Sequence, residues 1–117
     1  MTMREFAWRS GRAEIELAIG LEAGGASFVG RSKNIGIGGL FVATDRSLQV
    51  GDRVTVQFSL PDPAQSVSVG AEVRWIRAAS EGSSGVGLRF LKLPIVSAIY
   101  IQEFLRRQDD DLTPHPA

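Results

Sequence analysis

The residues able to do chemistry are few, and they gather in two places. Arg4, Arg9 and Arg12 stand among the first twelve positions, around Phe6 and Trp8. A guanidinium is a planar fork of N–H donors that suits phosphate oxygens and the Hoogsteen edge of guanine. Such an arm can fold over an anionic ligand; a solvated terminal arm is the plainer alternative. The second place is Asn34-Ile35-Gly36-Ile37-Gly38-Gly39-Leu40-Phe41-Val42. Glycines so placed take positive φ or let another molecule approach the backbone, and Leu40 to Val42 reads as a buried strand. Arg31 and Lys33 add a small positive patch beside Asn34. The chemistry on offer is the binding of a small anion.

Catalysis finds no comparable support. A nucleophilic mechanism needs a nucleophile beside a positioned base. The chain has no cysteine, and its one histidine, His115, lies in Asp109-Asp110-Asp111-Leu112-Thr113-Pro114-His115-Pro116-Ala117. That segment is too polar and proline-rich to form a core, and it offers no second histidine and no ordered ligand set. The carboxylates scatter over turns, strand exteriors and the tail. Neither an enzyme nor a metal site is expected.

Asn34-x-Gly36-x-x-Gly39 resembles the second signature of PilZ domains, (Asp or Asn)-x-Ser-x-x-Gly, with glycine at the serine position. The family's first signature, Arg-x-x-x-Arg, precedes the first strand. Arg12 stands where its second arginine belongs, Trp8 stands where its first belongs, and Arg9 comes one step late. Gly85-Val86-Gly87-Leu88-Arg89-Phe90, followed by a helix, is similar to the family's last strand and C-terminal helix. The resemblance covers about residues 8 to 107. It implies a small antiparallel PilZ-type β-barrel capped by a C-terminal α-helix, which makes the fold all-β with one helix. It also implies a cyclic di-GMP receptor in which Arg12 and Arg9 grip phosphate and guanine, while Asn34, Gly36 and Gly39 meet a guanine edge and ribose. Trp8, Arg31 and Lys33 are further candidates.

The two departures give the resemblance a second form. Losing a hydroxyl bond removes about 0.5–1.5 kcal/mol and losing an arginine's charge-assisted bonds about 1.5–3. Together that is roughly 30- to 2000-fold in affinity. The alternative is therefore a degenerate PilZ adaptor that binds no nucleotide and acts through protein contacts. Motility, envelope polysaccharide or a signalling complex is the expected output of either, and a monomer or homodimer the expected state.

The bulk composition agrees with one ordinary domain. The 117 residues are 44% apolar and 22% charged, enough for a single core. Thirteen basic and thirteen acidic residues balance to zero formal charge, which argues against a nucleic-acid binder relying on a basic field. Aromatics at 8% disfavour an oligonucleotide-binding barrel. No apolar run approaches the roughly 20 residues of a membrane helix, and residues 1–6 lack the apolar core of a signal peptide. No membrane insertion and a cytoplasmic location are expected.

The elements that must position these residues follow from hydrophobic period. Ile15, Leu17, Ile19 and Leu21 alternate, predicting one strand over Ala13 to Leu21. Residues 22–26 read as a hairpin turn, and 26–34 as the returning strand. Val54, Val56, Phe58 and Leu60 form another, stopped by Pro61-Asp62-Pro63. Val67, Val69, Ala71, Val73 and Trp75 make the longest run, with Trp75 expected in the core and Arg74 outside. Residues 80–85 form a flexible loop before Val86, Leu88 and Phe90. A helix is predicted from Pro94 to Arg107, its Ala98, Ile101, Phe104 and Leu105 stripe capping the barrel. Ile95 and Ile99 fall off that stripe. They either pack on a neighbouring loop or contact a partner. The divisions are an arm (1–12), the barrel with its helix (13–107) and a disordered tail (108–117).

Overall fold

The computed structural model describes residues 12–61, 63–78 and 84–112, with side chains through residue 108. Trp8, Arg9 and the rest of residues 1–11, most of the loop before Gly85, and His115 lie outside the described residues. Among the described residues there are seven strands: β1 (Arg12–Ala13), β2 (Ala18–Ala23), β3 (Ala26–Gly36), β4 (Gly39–Ala43), β5 (Arg53–Leu60), β6 (Gln65–Arg77) and β7 (Gly85–Leu91). One described helix follows them, α1 (Ile95–Leu112). Every strand pairing is antiparallel. The order is β1-β3-β2-β5-β6-β7-β4, and a further β3–β4 pairing closes β2 to β7 into a six-stranded barrel with β1 added to β3.

The alternating residues make this core. Val54, Val56, Phe58 and Leu60 of β5 are buried, as are Val67, Val69, Ala71 and Val73 of β6 and Val86, Leu88 and Phe90 of β7. Each fully buried aliphatic or aromatic side chain contributes about 1.5–3 kcal/mol. Ile101, Phe104 and Leu105 of α1 join the same cluster, and the helix packs against β1, β5 and β6. The β2–β3 hairpin turns through Gly24 and Gly25, at φ of 59° and 82°, the conformation that favours glycine in two-residue hairpins.

Four details differ from the sequence reading. The first strand is interrupted: β1 and β2 are separated by residues 14–17, where the chain slips by one residue against β3. Alternation alone cannot report such a slip. The helix starts at Ile95, with Ala98 N–H donating to the Pro94 carbonyl, and runs to Leu112, past Arg107. Gly36, Gly38 and Gly39 are absent from the described positive-φ glycines, which are Gly24, Gly25 and Gly51, so the corner does not exploit left-handed backbone.

The fourth concerns Trp75. It is 47% exposed and outside the barrel. β6 pairs Val73 with Leu88 and then Trp75 with Gly87, leaving Arg74 as a surplus residue. A bulge of this kind shifts all later side chains to the opposite face. Trp75 therefore turns outward from a run that would otherwise have carried it into the core.

Candidate anion-binding site

The site is built where β1, β3, β4, β6 and β7 share an outer face. In β3 the register against β4 shifts between Ser32 and Asn34. Ser32 and Ile35 are both buried, three positions apart, so the strand changes face between them. That change turns Asn34 outward. β1 pairs Arg12 with Gly36, which sets Arg12 beside it.

The two side chains bond directly. Arg12 Nε donates to Asn34 Oδ1 at 2.9 Å, and Arg12 Nη2 donates to the same oxygen. Two of the guanidinium's five N–H groups are so used, and the fork is fixed against the strand. Partial burial draws the Arg12 guanidinium below arginine's ordinary range, though arginine remains charged at neutral pH.

Beside this pair lies a hollow of about 200 Å³, lined by Arg12, Gly38, Gly39, Leu40, Arg74, Trp75, Gly87, Leu88 and Arg89. Because of the β6 bulge, Arg74 and Trp75 both reach it. Arg74 Nη1 lies 3.4 Å from Glu72 Oε1, a half-exposed contact of small energetic weight. Arg89 makes no ion pair among the described residues. The hollow thus holds three cations and one aromatic.

Its floor depends on missing side chains. A Cβ at Gly39 would stand 2.0 Å from the Leu88 carbonyl oxygen, and one at Gly87 would stand 2.0 Å from Trp75 Nε1. Close approach is therefore what these glycines supply. The Gly38 carbonyl accepts from Phe90 N–H at 2.8 Å, tying the corner to β7.

Of the sequence candidates, Arg12, Asn34 and Gly39 come together here, with Gly36 opposite Arg12. Arg31 and Lys33 do not line the hollow. Arg31 Nη1 and Lys33 Nζ each lie 3.8 Å from a Glu16 carboxylate oxygen. Ile95 and Ile99 are exposed on α1 and do not line the hollow. The sequence reading assigned no role in the site to Arg74, Trp75 or Arg89. For Arg89 a signal existed: it is the one charged residue in Gly85-Val86-Gly87-Leu88-Arg89-Phe90. For Trp75 there was none without the bulge.

A larger depression, about 520 Å³, runs along Glu22–Gly25, Arg53–Thr55, Gly70–Ala71 and Leu91. It carries one cation against one carboxylate and no aromatic, which suits an anion poorly. Among the described residues no group of three His, Cys, Asp or Glu side chains could hold a metal. No described helix is long and apolar enough to cross a membrane.

Comparison with known proteins bears on this geometry. The family model of the PilZ domain matches residues 4–107. No curated protein matches the chain. Among solved structures, the Bacillus subtilis inhibitor of motility MotI/DgrA superposes with a TM-score of 0.79 at 18% identity, over 89% of this chain and 52% of that one. The chain therefore spans about half of that protein. The PilZ domain of Escherichia coli YcgR, solved with c-di-GMP, gives 0.68 at 13% identity, over 86% of this chain and 89% of that one. Borreliella burgdorferi PlzA, in complex with c-di-GMP, gives 0.51 at 14% identity, covering 86% and 37%. At such identities these likenesses concern the fold.

Proposed function

The chain belongs to the PilZ domain family, and from that premise we propose that it is a receptor module for cyclic di-GMP, with motility, envelope polysaccharide or a related process as its output. The observation that carries this reading is the convergence of Arg12, Arg74 and Arg89 beside Trp75 in one hollow, with Arg12 fixed on Asn34. Cyclic di-GMP is a dianion with two planar guanines. Guanidinium forks and an exposed indole are the complementary groups.

Size sets the mode of binding. Pockets that enclose a small ligand run to about 300–1,000 Å³, so a hollow of about 200 Å³ takes one part of the dinucleotide. The remainder lies over the open surface beside Arg12. The missing serine at Gly36 costs about 0.5–1.5 kcal/mol, whereas each charge-assisted arginine bond contributes about 1.5–3. Arg74 and Arg89, two cations outside the motif positions, are enough to offset that loss.

Calorimetric titration with cyclic di-GMP tests the reading. Binding is expected for the native chain and should be largely lost on Arg12→Ala. No heat at near-millimolar nucleotide from a folded chain would sink it. In that case the adaptor reading takes over. One observation favours that second reading: Ile95, Val96 and Ile99 are exposed together on α1, an apolar face suited to a protein contact.

A further inference from the structure

We propose that Ser32 is a positioning residue, whose buried hydroxyl holds β1 in register against β3 so that Arg12 meets the Asn34 side chain. The proposal deepens the nucleotide-receptor reading, but its geometry stands without a ligand. Ser32 is one of only two buried polar residues among those described, and it is 0% exposed. A buried hydroxyl is costly unless it is bonded, and this one is bonded twice. Ser32 Oγ donates to the Ile15 carbonyl at 2.6 Å and accepts from Leu17 N–H at 2.9 Å.

Both partners lie in the segment between β1 and β2, where the pairing slips. β2 pairs Ala18 with Arg31, so Leu17 and Ser32 would be the next pair in an unbroken ladder. Half of that pair survives, with Ser32 N–H donating to the Leu17 carbonyl at 2.9 Å. The other half is replaced: Leu17 N–H goes to the Ser32 hydroxyl instead of the Ser32 carbonyl. Beyond the slip, β1 resumes with Ala13 opposite Ile35. From Leu17 to Ala13 is four steps, and from Ser32 to Ile35 is three, so the β1 side carries one extra residue.

The hydroxyl spans that extra residue, bonding Leu17 on one side and Ile15 on the other. An alanine there leaves the Leu17 N–H and the Ile15 carbonyl without these partners, and the segment is free to relax. Register is weakly specified when few groups fix it. Arg12, at the far end of a two-residue strand, depends on this clamp to meet Asn34 Oδ1.

The direct test is nuclear magnetic resonance of the Arg12 Nε–H group in the full chain, assigned by its loss in Arg12→Lys. Asn34→Ala defines the signal of the unbonded group. In Ser32→Ala the signal should move to that unbonded position. Val56→Ala, a core truncation on β5, should lower the melting temperature and leave the signal in place. A folded Ser32→Ala chain with an unchanged Arg12 signal overturns the proposal, as does an equal shift in Val56→Ala. Should Ser32→Ala fail to fold, Ser32→Cys weakens the same two bonds and is expected to move the signal part of the way; no movement overturns the proposal. In titration, Ser32→Ala should weaken cyclic di-GMP binding about 2- to 10-fold in the native background and not in Arg12→Ala; an equal loss in both contradicts the clamp. If the native chain binds no cyclic di-GMP, the receptor reading fails and the resonance measurement alone decides on Ser32.

Discussion

Trp75 lies stacked on Phe41 on the outside of the barrel, ring centroids 4.9 Å apart and planes 16° from parallel. Phe41 is buried although it does not belong to the barrel's inner cluster. The indole covers it on the outer face, and the Arg77 guanidinium stands 4.6 Å from its centroid. This cation–aromatic stack fixes the indole beside the hollow. An aromatic pair of this kind adds about 0.5–1.5 kcal/mol beyond its buried area.

The stack rests on Gly87, which makes that glycine a test of it. Gly87→Ala would put a Cβ 2.0 Å from Trp75 Nε1, so the ring must leave. Overpacking of this kind costs about 1–3 kcal/mol. In a Trp8→Phe background Trp75 is the sole tryptophan, and its fluorescence should shift to the red in Gly87→Ala. Unchanged emission would mean that the indole does not rest there.

Arg12 and Arg89 should differ in what they support. Arg12→Ala removes the fork bonded to Asn34 and should weaken cyclic di-GMP binding by about 1.5–3 kcal/mol, roughly 10- to 150-fold. Arg12→Lys should not restore it, because a point charge lacks the planar fork. Arg89→Ala should weaken binding and lessen its salt dependence with little change in melting temperature, since no described ion pair is lost. Full affinity in Arg89→Ala would place the ligand away from the hollow.

Restoring the two departures from the family signatures gives an independent check. Trp8→Arg together with Gly36→Ser should raise affinity for cyclic di-GMP in calorimetry. The added bonds are worth about 2–4.5 kcal/mol at most. A double variant that remains folded and binds no more tightly would show that Arg74 and Arg89 have already taken over those roles, or that the corner does not bind nucleotide. Arg89→Ala in the same background separates the two.

How much of this was readable beforehand depends on bulges. The inner residues of β5, β6 and β7 followed from simple alternation, and Ile101, Phe104 and Leu105 from helical period. Asn34 and Gly39 were singled out by the likeness of the glycine corner to the second PilZ signature, and Arg12 by the likeness to the arginine signature. What alternation could not report is a one-residue irregularity, and the site contains three: at Ser32–Asn34, in the segment before Ala18, and at Arg74. Each redirects side chains without a mark in composition. Ser32 and Trp75 were passed over for that reason. The one reads as an ordinary polar strand residue, the other as core.

The helix face bears on the adaptor reading, and one substitution tests it. Ile95 is 77% exposed and Ile99 52%, with Val96 between them also exposed. Ile99 borders a hollow of about 190 Å³ whose other lining residues include Leu60, Pro61, Pro63 and Tyr100. The side chain is thus half-covered by the β5–β6 connection and half-open to a partner. Burying two isoleucines contributes about 3–6 kcal/mol before the entropy of association is counted against it. Ile99→Glu should leave the chain folded, because a carboxylate at a half-exposed site keeps its water, and it should abolish any self-association seen by sedimentation or any partner contact. The proposed nucleotide site shares no lining residue with this hollow, so cyclic di-GMP affinity should be unchanged in the same protein. Unfolding would show that Ile99 is needed by the β5–β6 connection. A folded variant with every association intact would move the contact surface off α1.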